Sequence, residues 1–250
     1  MNNSSTVKNT APRTPKVRAL LSWSTGKDAA WSLHQLRQAG EVEVVALVTT
    51  TNRAFERVAM HAVRQTLLEK QAEAAGLPLV VVPLPWPCTN AQYEEAMQSA
   101  LVEAIARFDT THIAFGDLYL EEVRAYRERL LEPLGLLPLF PLWGLPTGVL
   151  AQEMIAGGLE AKITCIDPRR LHASFAGRSF DTTLLADLPP DVDQCGEGGE
   201  FHTCVVAGPM FAEPIPVVVG EVVERDGFVF ADLRSVEPAA ESSLPMTPPE

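Results

Sequence analysis

No stretch of about 18 apolar residues occurs anywhere in the chain, so no membrane-spanning helix is expected. Cysteine is scarce. The four residues stand at 88, 165, 195 and 204, and none forms a CxxC pair. That spacing excludes a zinc ribbon. Isolated thiols in a large chain suit a reducing compartment better than a disulfide scaffold, so a cytoplasmic location is expected. Basic residues are also few: Lys plus Arg total 20 against 32 for Asp plus Glu, a formal charge of −12. A nucleic-acid partner needs a basic face, and this balance argues against one.

The ends differ from the body. Residues 1–18 carry Lys8, Arg13, Lys16 and Arg18 and no acid, whereas residues 237–250 carry Glu237, Glu241 and Glu250 and no base. With the +4 and −3 of these ends set aside, the body between them holds −13. Residues 1–16 and 237–250 are rich in Ser, Thr and Pro and are read as disordered tails. The basic start has no apolar h-region, so it is not a secretory signal.

Proline and glycine are sparse early and dense late. Only six of the 20 prolines precede residue 130, and only Gly26, Gly40 and Gly76 precede residue 100. The first half is therefore expected to be regular and the second half loop-rich. Apolar strands are expected at 17–21, 42–49, 79–84 and 111–115, with helices at 28–38, 58–75, after Thr89, and at 118–131. Thr89 and Gln92 have capping-box spacing. Strands that are apolar throughout, separated by helices, imply a Rossmann-like α/β fold with a parallel sheet and helices on both faces. Residues 17–143 are assigned to it. Residues 144–236 are expected to form a smaller α+β domain. There, Asp226-Gly227 between two β-rich runs is a hairpin signal.

Ser22-Trp23-Ser24-Thr25-Gly26-Lys27-Asp28 follows the first strand and opens the first helix. Such a junction offers unpaired N–H groups and the positive end of a helix dipole, which suits phosphate. Ser22, Ser24, Thr25, Gly26, Lys27 and Asp28 are therefore candidate phosphate-binding residues, with Lys27 as a mobile charge. It is not a Walker A loop, which would need Gly at 21 and Ser or Thr at 28 where the chain has Leu21 and Asp28. No GxGxxG fingerprint occurs either. Gly116 and Asp117 close the fourth strand, where Gly116 permits close backbone approach. Asp117 can hold Mg²⁺, bind a ribose hydroxyl or cap a helix. Arg124 can clamp a phosphate or carboxylate, or simply be solvated. Glu197-Gly198-Gly199-Glu200 is expected to bend sharply and aim two acids at one point. His202 and Thr203 follow it. Arg57 and His61 are read as a surface pair on the second helix. Cys195, His202 and Cys204 match no zinc spacing.

Ser24 to Ala29 resembles the SGGKDS loop of the PP-loop ATP pyrophosphatases, with Thr25 in place of a Gly and Ala29 in place of the last Ser. Together with Phe115-Gly116-Asp117-Leu118 through Arg124, Leu142-Trp143 and Gly196-Glu197-Gly198-Gly199-Glu200-Phe201-His202-Thr203, it resembles a divergent branch of the diphthine–ammonia ligase (ATP-binding domain 4) family over about residues 17–235. The branch that makes diphthamide more typically reads Gly-Glu-Gly-Gly-Glu-Tyr-Glu-Thr, with an acid where His202 stands here.

The resemblance implies an adenine nucleotide alpha hydrolase-like fold and an ATP-dependent ligase. A carboxylate would be adenylated and then attacked by ammonia or an amine, with ATP and Mg²⁺ as cofactors. It implies catalytic roles for Lys27, Glu197 and Glu200. ATP contacts fall to the phosphate loop with Gly116, Asp117 and Arg124. Substrate contacts fall to Gly198, Gly199, His202 and Thr203, and Mg²⁺ ligands are Asp28 and Asp117. A protein that binds ATP or slowly hydrolyses it without ligation is the alternative. A tRNA-modifying PP-loop enzyme is disfavoured by the acidic body and the missing CxxC. The oligomeric state is not readable from the sequence.

Overall fold

The computed structural model describes residues 16–52, 57–58 and 63–236. The expected tails, apart from Lys16, lie outside the described residues, as does His61.

The first strand, β1 (Val17–Ser22), leads into α1 (Lys27–Ala39), and β2 (Val42–Asn52) follows. A two-residue strand, β3 (Arg57–Val58), precedes α2 (Gln65–Ala75) and β4 (Leu79–Leu84). Then come α3 (Asn90–Phe108), β5 (His112–Ala114), α4 (Glu121–Leu131) and β6 (Leu137–Leu139). The parallel strands lie in the order β4-β2-β1-β5-β6. The chain adds strands outward on one side of β1 and then, from β5, on the other, so the strand order reverses between β1 and β5, the kind of switch point where α/β sheets bind ligands.

Successive residues of a strand face opposite sides, and here the two faces bury two separate cores. Leu21 and Leu47 pack with Leu33 of α1 and Leu67 and Leu68 of α2. Leu20, Ala46 and Val48 pack with Met97 and Leu101 of α3 and Leu130 and Leu131 of α4. Helices thus cover both faces, as the apolar strands imply. The expected capping box is present: Gln92 N–H donates to Thr89 Oγ1 (3.3 Å), and Thr89 N–H donates to Gln92 Oε1 (3.0 Å).

The second helix is shorter than its spacing suggested. Val58 pairs antiparallel with Thr51 and Arg57 with Asn52, and α2 starts only at Gln65. The Val63 carbonyl accepts from the Val58 N–H at 2.8 Å, and both valines are buried ahead of the helix. The sheet is consequently mixed at this end, and Arg57 stands on a strand.

The later residues form α5 (Thr147–Ala156), β7 (Glu160–Ile166), α6 (Thr182–Asp187), β8 (Phe201–Ala207), β9 (Val217–Arg225) and β10 (Phe228–Ser235). Their strands make an antiparallel sheet in the order β8-β7-β10-β9. The β9–β10 hairpin turns at Asp226 (φ 52°) and Gly227 (φ 80°), both left-handed as a two-residue hairpin turn requires. One face of this sheet, through Phe201, Val205, Val229 and Leu233, joins the core of α1 and α2.

Polar ties reinforce that junction. Gln71 of α2 is fully buried. It accepts from Trp23 Nε1 (2.9 Å) and donates to the carbonyls of Thr25 (3.1 Å) and Val205 (2.7 Å). Asp232 of β10 accepts from Arg57 and Arg64. Burial opposes the Asp232 charge, but Arg64, Arg234 and Arg57 outweigh it and hold the carboxyl down at about 2. Among the described residues, no helix is long and apolar enough to cross a membrane.

Candidate functional site

A cavity of about 510 Å³ opens at the carboxyl ends of β1, β2 and β5, against the first turn of α1. Val48, Val58, Leu84 and Met97 supply an apolar wall. Ser22, Ser24, Lys27, Asp28, Gly116 and Asp117 supply polar groups from the parallel sheet, and Glu197, His202 and Thr203 supply them from the second half.

The loop before α1 is held tightly. Trp23 N–H donates to Val48 O (2.7 Å). Thr25 takes φ 72°, a left-handed conformation that costs a β-branched residue about 1–2 kcal/mol. Its carbonyl is bound by both Val205 N–H (3.0 Å) and Gln71, which offsets the strain. Gly26 caps α1 without a side chain, and the missing cap comes from β8: Lys27 N–H donates to Thr203 Oγ1 at 3.0 Å. Thr25 and Gly26 do not line the cavity; they shape the turn beneath it.

Lys27 is anchored, contrary to the mobile charge expected. Its side chain is 3% exposed, and Nζ donates to Asp28 Oδ2 (2.8 Å) and to the Cys195 carbonyl. The rings of Phe180 and Phe201 flank it at 5.7 and 5.5 Å. Burial opposes the ammonium charge, but Asp28, Cys195 and Glu197 together outweigh burial and raise its pKa. Asp28 Oδ1 is buried with no hydrogen-bond partner among the described residues. A hard oxygen left over in this way is the kind of donor a hard divalent cation takes. Asp117 is instead engaged, since its Oδ2 meets Arg127 Nε at 3.4 Å.

Gly116 serves packing as well as lining. A Cβ there would lie 2.8 Å from the Ala29 nitrogen and from the Asp28 carbonyl carbon, so the β5 end presses directly on the first turn of α1. The arginine at the cavity is Arg127, and not the expected Arg124. Arg127 reaches Asp117, Tyr93 Oη (3.5 Å) and the face of Phe115 (4.9 Å). Burial opposes its charge, and Asp117 and Tyr93 outweigh burial and keep it cationic. Arg124 turns away, paired with Glu128 at 2.9 Å and stacked on Phe140 and Trp143. Residues three apart on a helix are neighbours, so Arg127 stands beside the arginine that the motif named, and it is Arg127 that lines the cavity.

The two acids of the glycine loop part company. Glu197 lines the cavity and accepts from Leu118 N–H at 2.8 Å. Burial, helped by Asp28 and Asp117, outweighs that hydrogen bond and pushes its pKa up to about 7. Glu200 is buried away from the cavity. It accepts weakly from Asp193 N–H (3.4 Å) and sits 3.7 Å from Arg170. Gly198 and Gly199 also lie off the cavity; a Cβ at Gly198 would meet the Glu200 carboxylate at 2.9 Å. The loop therefore bends around Glu200 and presents Glu197 alone.

His202 and Thr203 both line the cavity. Burial, and then Lys27, lowers His202 to about 4, so it is a neutral imidazole near pH 7. Burial pushes the Cys195 and Cys204 thiols up to about 12. Among the described residues, no three His, Cys, Asp or Glu side chains are placed to share a metal ion.

Comparison with known proteins gives a consistent result. A family model described as the diphthamide synthase N-terminal domain matches residues 16–138, and one described as the diphthamide synthase C-terminal domain matches residues 147–235. The chain is 26% identical over 228 residues to a diphthine–ammonia ligase of Danio rerio, covering 83% of this chain and 89% of that protein. It is 27% identical over 243 residues to one of Bos taurus (86% and 88%), and 26% identical over 263 residues to one of Homo sapiens (93% and 95%).

Proposed function

The chain belongs to the diphthamide synthase family, and on that premise we propose that it is an ATP-dependent ligase forming an amide from a carboxylate and ammonia or an amine. The observation that carries this reading is one cavity holding a helix-N-terminal phosphate loop, a charged Lys27–Asp28 pair and a carboxyl poised near neutral pH, Glu197.

ATP sits with its base against the Val48–Leu84–Met97 wall and its phosphates over the first turn of α1. The acceptor carboxylate oxygen attacks the α-phosphorus. The bond from that phosphorus to the bridging oxygen breaks, and pyrophosphate leaves. The N–H groups of the turn and the fixed charge of Lys27 stabilise the oxygens on which charge grows. When bound, Mg²⁺ would be held by Asp28 Oδ1 and would neutralise phosphate charge. Ammonia then adds to the acyl carbon and AMP departs with the bonding pair. Glu197 takes the proton that the nitrogen must lose, a role suited to a group that titrates near the working pH.

Neutral His202 lies where the diphthamide-forming sequences typically carry an acid. It therefore offers the acceptor a hydrogen bond without a negative charge. Diphthine, the substrate in the relatives' names, is one candidate acceptor, and a free carboxylic acid is another.

The test supplies purified protein with ATP, Mg²⁺, ammonium and candidate acids, and measures AMP and pyrophosphate. Release that depends on both acceptor and ammonium is expected. Lys27→Met should weaken ATP binding at least tenfold, and unchanged affinity would overturn the loop assignment. AMP or ADP formed without any acceptor would mark a nucleotide hydrolase instead.

A further inference from the structure

The face that α2 turns to the core is apolar except at one position. Leu67, Leu68, Ala72, Ala74 and Ala75 are buried, and Gln71 lies among them at 0% exposure. An amide in a core costs free energy unless its hydrogen bonds are made. Here they are made, and they run to the loop after β1 and to β8. Trp23 Nε1 donates to Gln71 Oε1 at 2.9 Å, and Gln71 Nε2 donates to Thr25 O at 3.1 Å and to Val205 O at 2.7 Å. Cys204 Sγ adds a weak contact with the same nitrogen at 3.5 Å. An indole N–H can only donate and a carbonyl can only accept, so these partners admit one orientation of the amide.

Gln71 does not line the nucleotide cavity, yet it grips both sides of a residue that does. Trp23 and Thr25 flank Ser24, which lines it. Thr25 also holds φ 72°, a conformation that a β-branched residue resists. Its carbonyl accepts from Gln71 and from Val205 N–H (3.0 Å), and Gln71 in turn binds the Val205 carbonyl. The amide thus closes a ring that joins the loop, α2 and β8.

Resting on the reading of this loop as the phosphate site, we propose that Gln71 is a positioning residue for nucleotide binding. It acts from behind the loop, through Trp23 and Thr25, and touches no part of the nucleotide. By holding Thr25 left-handed it aims the first-turn N–H groups of α1 into the cavity. Through Val205 it ties that aim to the second sheet. A glycine at position 25 takes the same φ without strain, so the need for Gln71 falls when Thr25 is replaced by glycine. An amide that merely filled the core would show no such dependence.

Gln71→Met keeps the length of the side chain and removes its donors and its carbonyl acceptor. It is expected to weaken ATP binding, read by calorimetry, by about tenfold or more. Leu68→Ala removes buried packing from the same helix and none of these hydrogen bonds, and it should leave ATP affinity within about threefold. In a Thr25→Gly background the effect of Gln71→Met should shrink to about threefold or less, the coupling that a double-mutant cycle reads. An undiminished loss in that background, or equal losses for Gln71→Met and Leu68→Ala, would overturn the proposal. Should Gln71→Met not fold, the parent protein decides. Coupling is reciprocal, so ATP should slow hydrogen exchange of the Gln71 side-chain amide and of the Val205 N–H by about threefold or more, and unchanged rates overturn the proposal. Failure of the parent protein to bind ATP would overturn the phosphate-loop reading instead. Exchange of the Lys27 and Ala30 N–H groups without nucleotide then decides whether Gln71 holds the loop: faster exchange in Gln71→Met than in Leu68→Ala supports it, and equal rates overturn it.

Discussion

The backbone N–H of Lys27 donates to the hydroxyl of Thr203, 3.0 Å away and 176 residues along the chain. This bond caps a helix whose own N-cap is a glycine with no side chain to offer. It also fixes the second sheet against the phosphate loop, since Val205 on the same strand donates to Thr25 O.

Replacing Thr203 by Val keeps the shape and removes the acceptor. A lost cap with a buried N–H left unpaired costs about 1–2 kcal/mol, to be read from urea denaturation. ATP affinity should fall with it. Thr203→Ser should restore most of both.

Glu197 and His202 should give opposite pH dependence of stability. The folded pKa of Glu197 is about 7 against an ordinary 4.5, so between these pH values the folded state holds a proton that the unfolded state releases. Its contribution to stability therefore falls as pH rises through that window. His202 is near 4 against 6.5, so between 6.5 and 4 the unfolded state binds the extra proton, and stability is lost as pH falls. Relative to the parent protein, Glu197→Gln should gain stability as pH rises from 4.5 to 7. The gain should be about 1–2 kcal/mol, after discounting for the screening of a part-exposed carboxyl. His202→Gln should gain as pH falls below 6.5. Thermal unfolding of the three proteins across this range checks both signs.

Gly116→Ala should be costly for a reason other than lost flexibility. The added methyl would meet the α1 backbone at 2.8 Å, where no flexible side-chain tip can give way. A loss of about 1–3 kcal/mol is expected, as for overpacking in a core. ATP binding, measured by calorimetry, should weaken because the displaced turn is the proposed phosphate site.

Arg127 and Arg124 should separate cleanly in turnover. Arg127→Ala leaves Asp117 without its partner at the cavity and should lower acceptor-dependent AMP release at least tenfold. Arg124→Ala removes stacking on Phe140 and Trp143 and should cost about 0.5–1 kcal/mol of stability with little change in rate.

Much of the frame was legible because it depends on neighbours in the chain. Apolar runs bounded by turn signals marked β1, β2, β4 and β5, and the 3.6-residue period with the Thr89–Gln92 box marked α3. Asp226-Gly227 marked the hairpin, because both residues tolerate the left-handed conformation that the turn needs. Spacing misled over 58–64, read as the first part of a helix that starts only at Gln65. Val63 and Leu67 stand one four-residue helical step apart, but Val63 precedes α2 and accepts from Val58 of β3, and only the pairing of β3 with β2 shows this.

Local patterning was enough for the order of the parallel strands and the helices between them, and for the Ser24–Asp28 loop after β1. Tertiary structure alone decided which side chain in each stretch faces the cavity. Glu197 faces it because Leu118, 79 residues earlier, holds its carboxylate, while Glu200 turns inward toward Asp193 and Arg170. Arg127 faces it because Asp117 and Tyr93 draw it there, while Phe140 and Trp143 hold Arg124 away. Local spacing sets a backbone's period. The direction of a side chain in an irregular loop, or of one of two neighbours on a helix, depends on partners that only folding brings within reach.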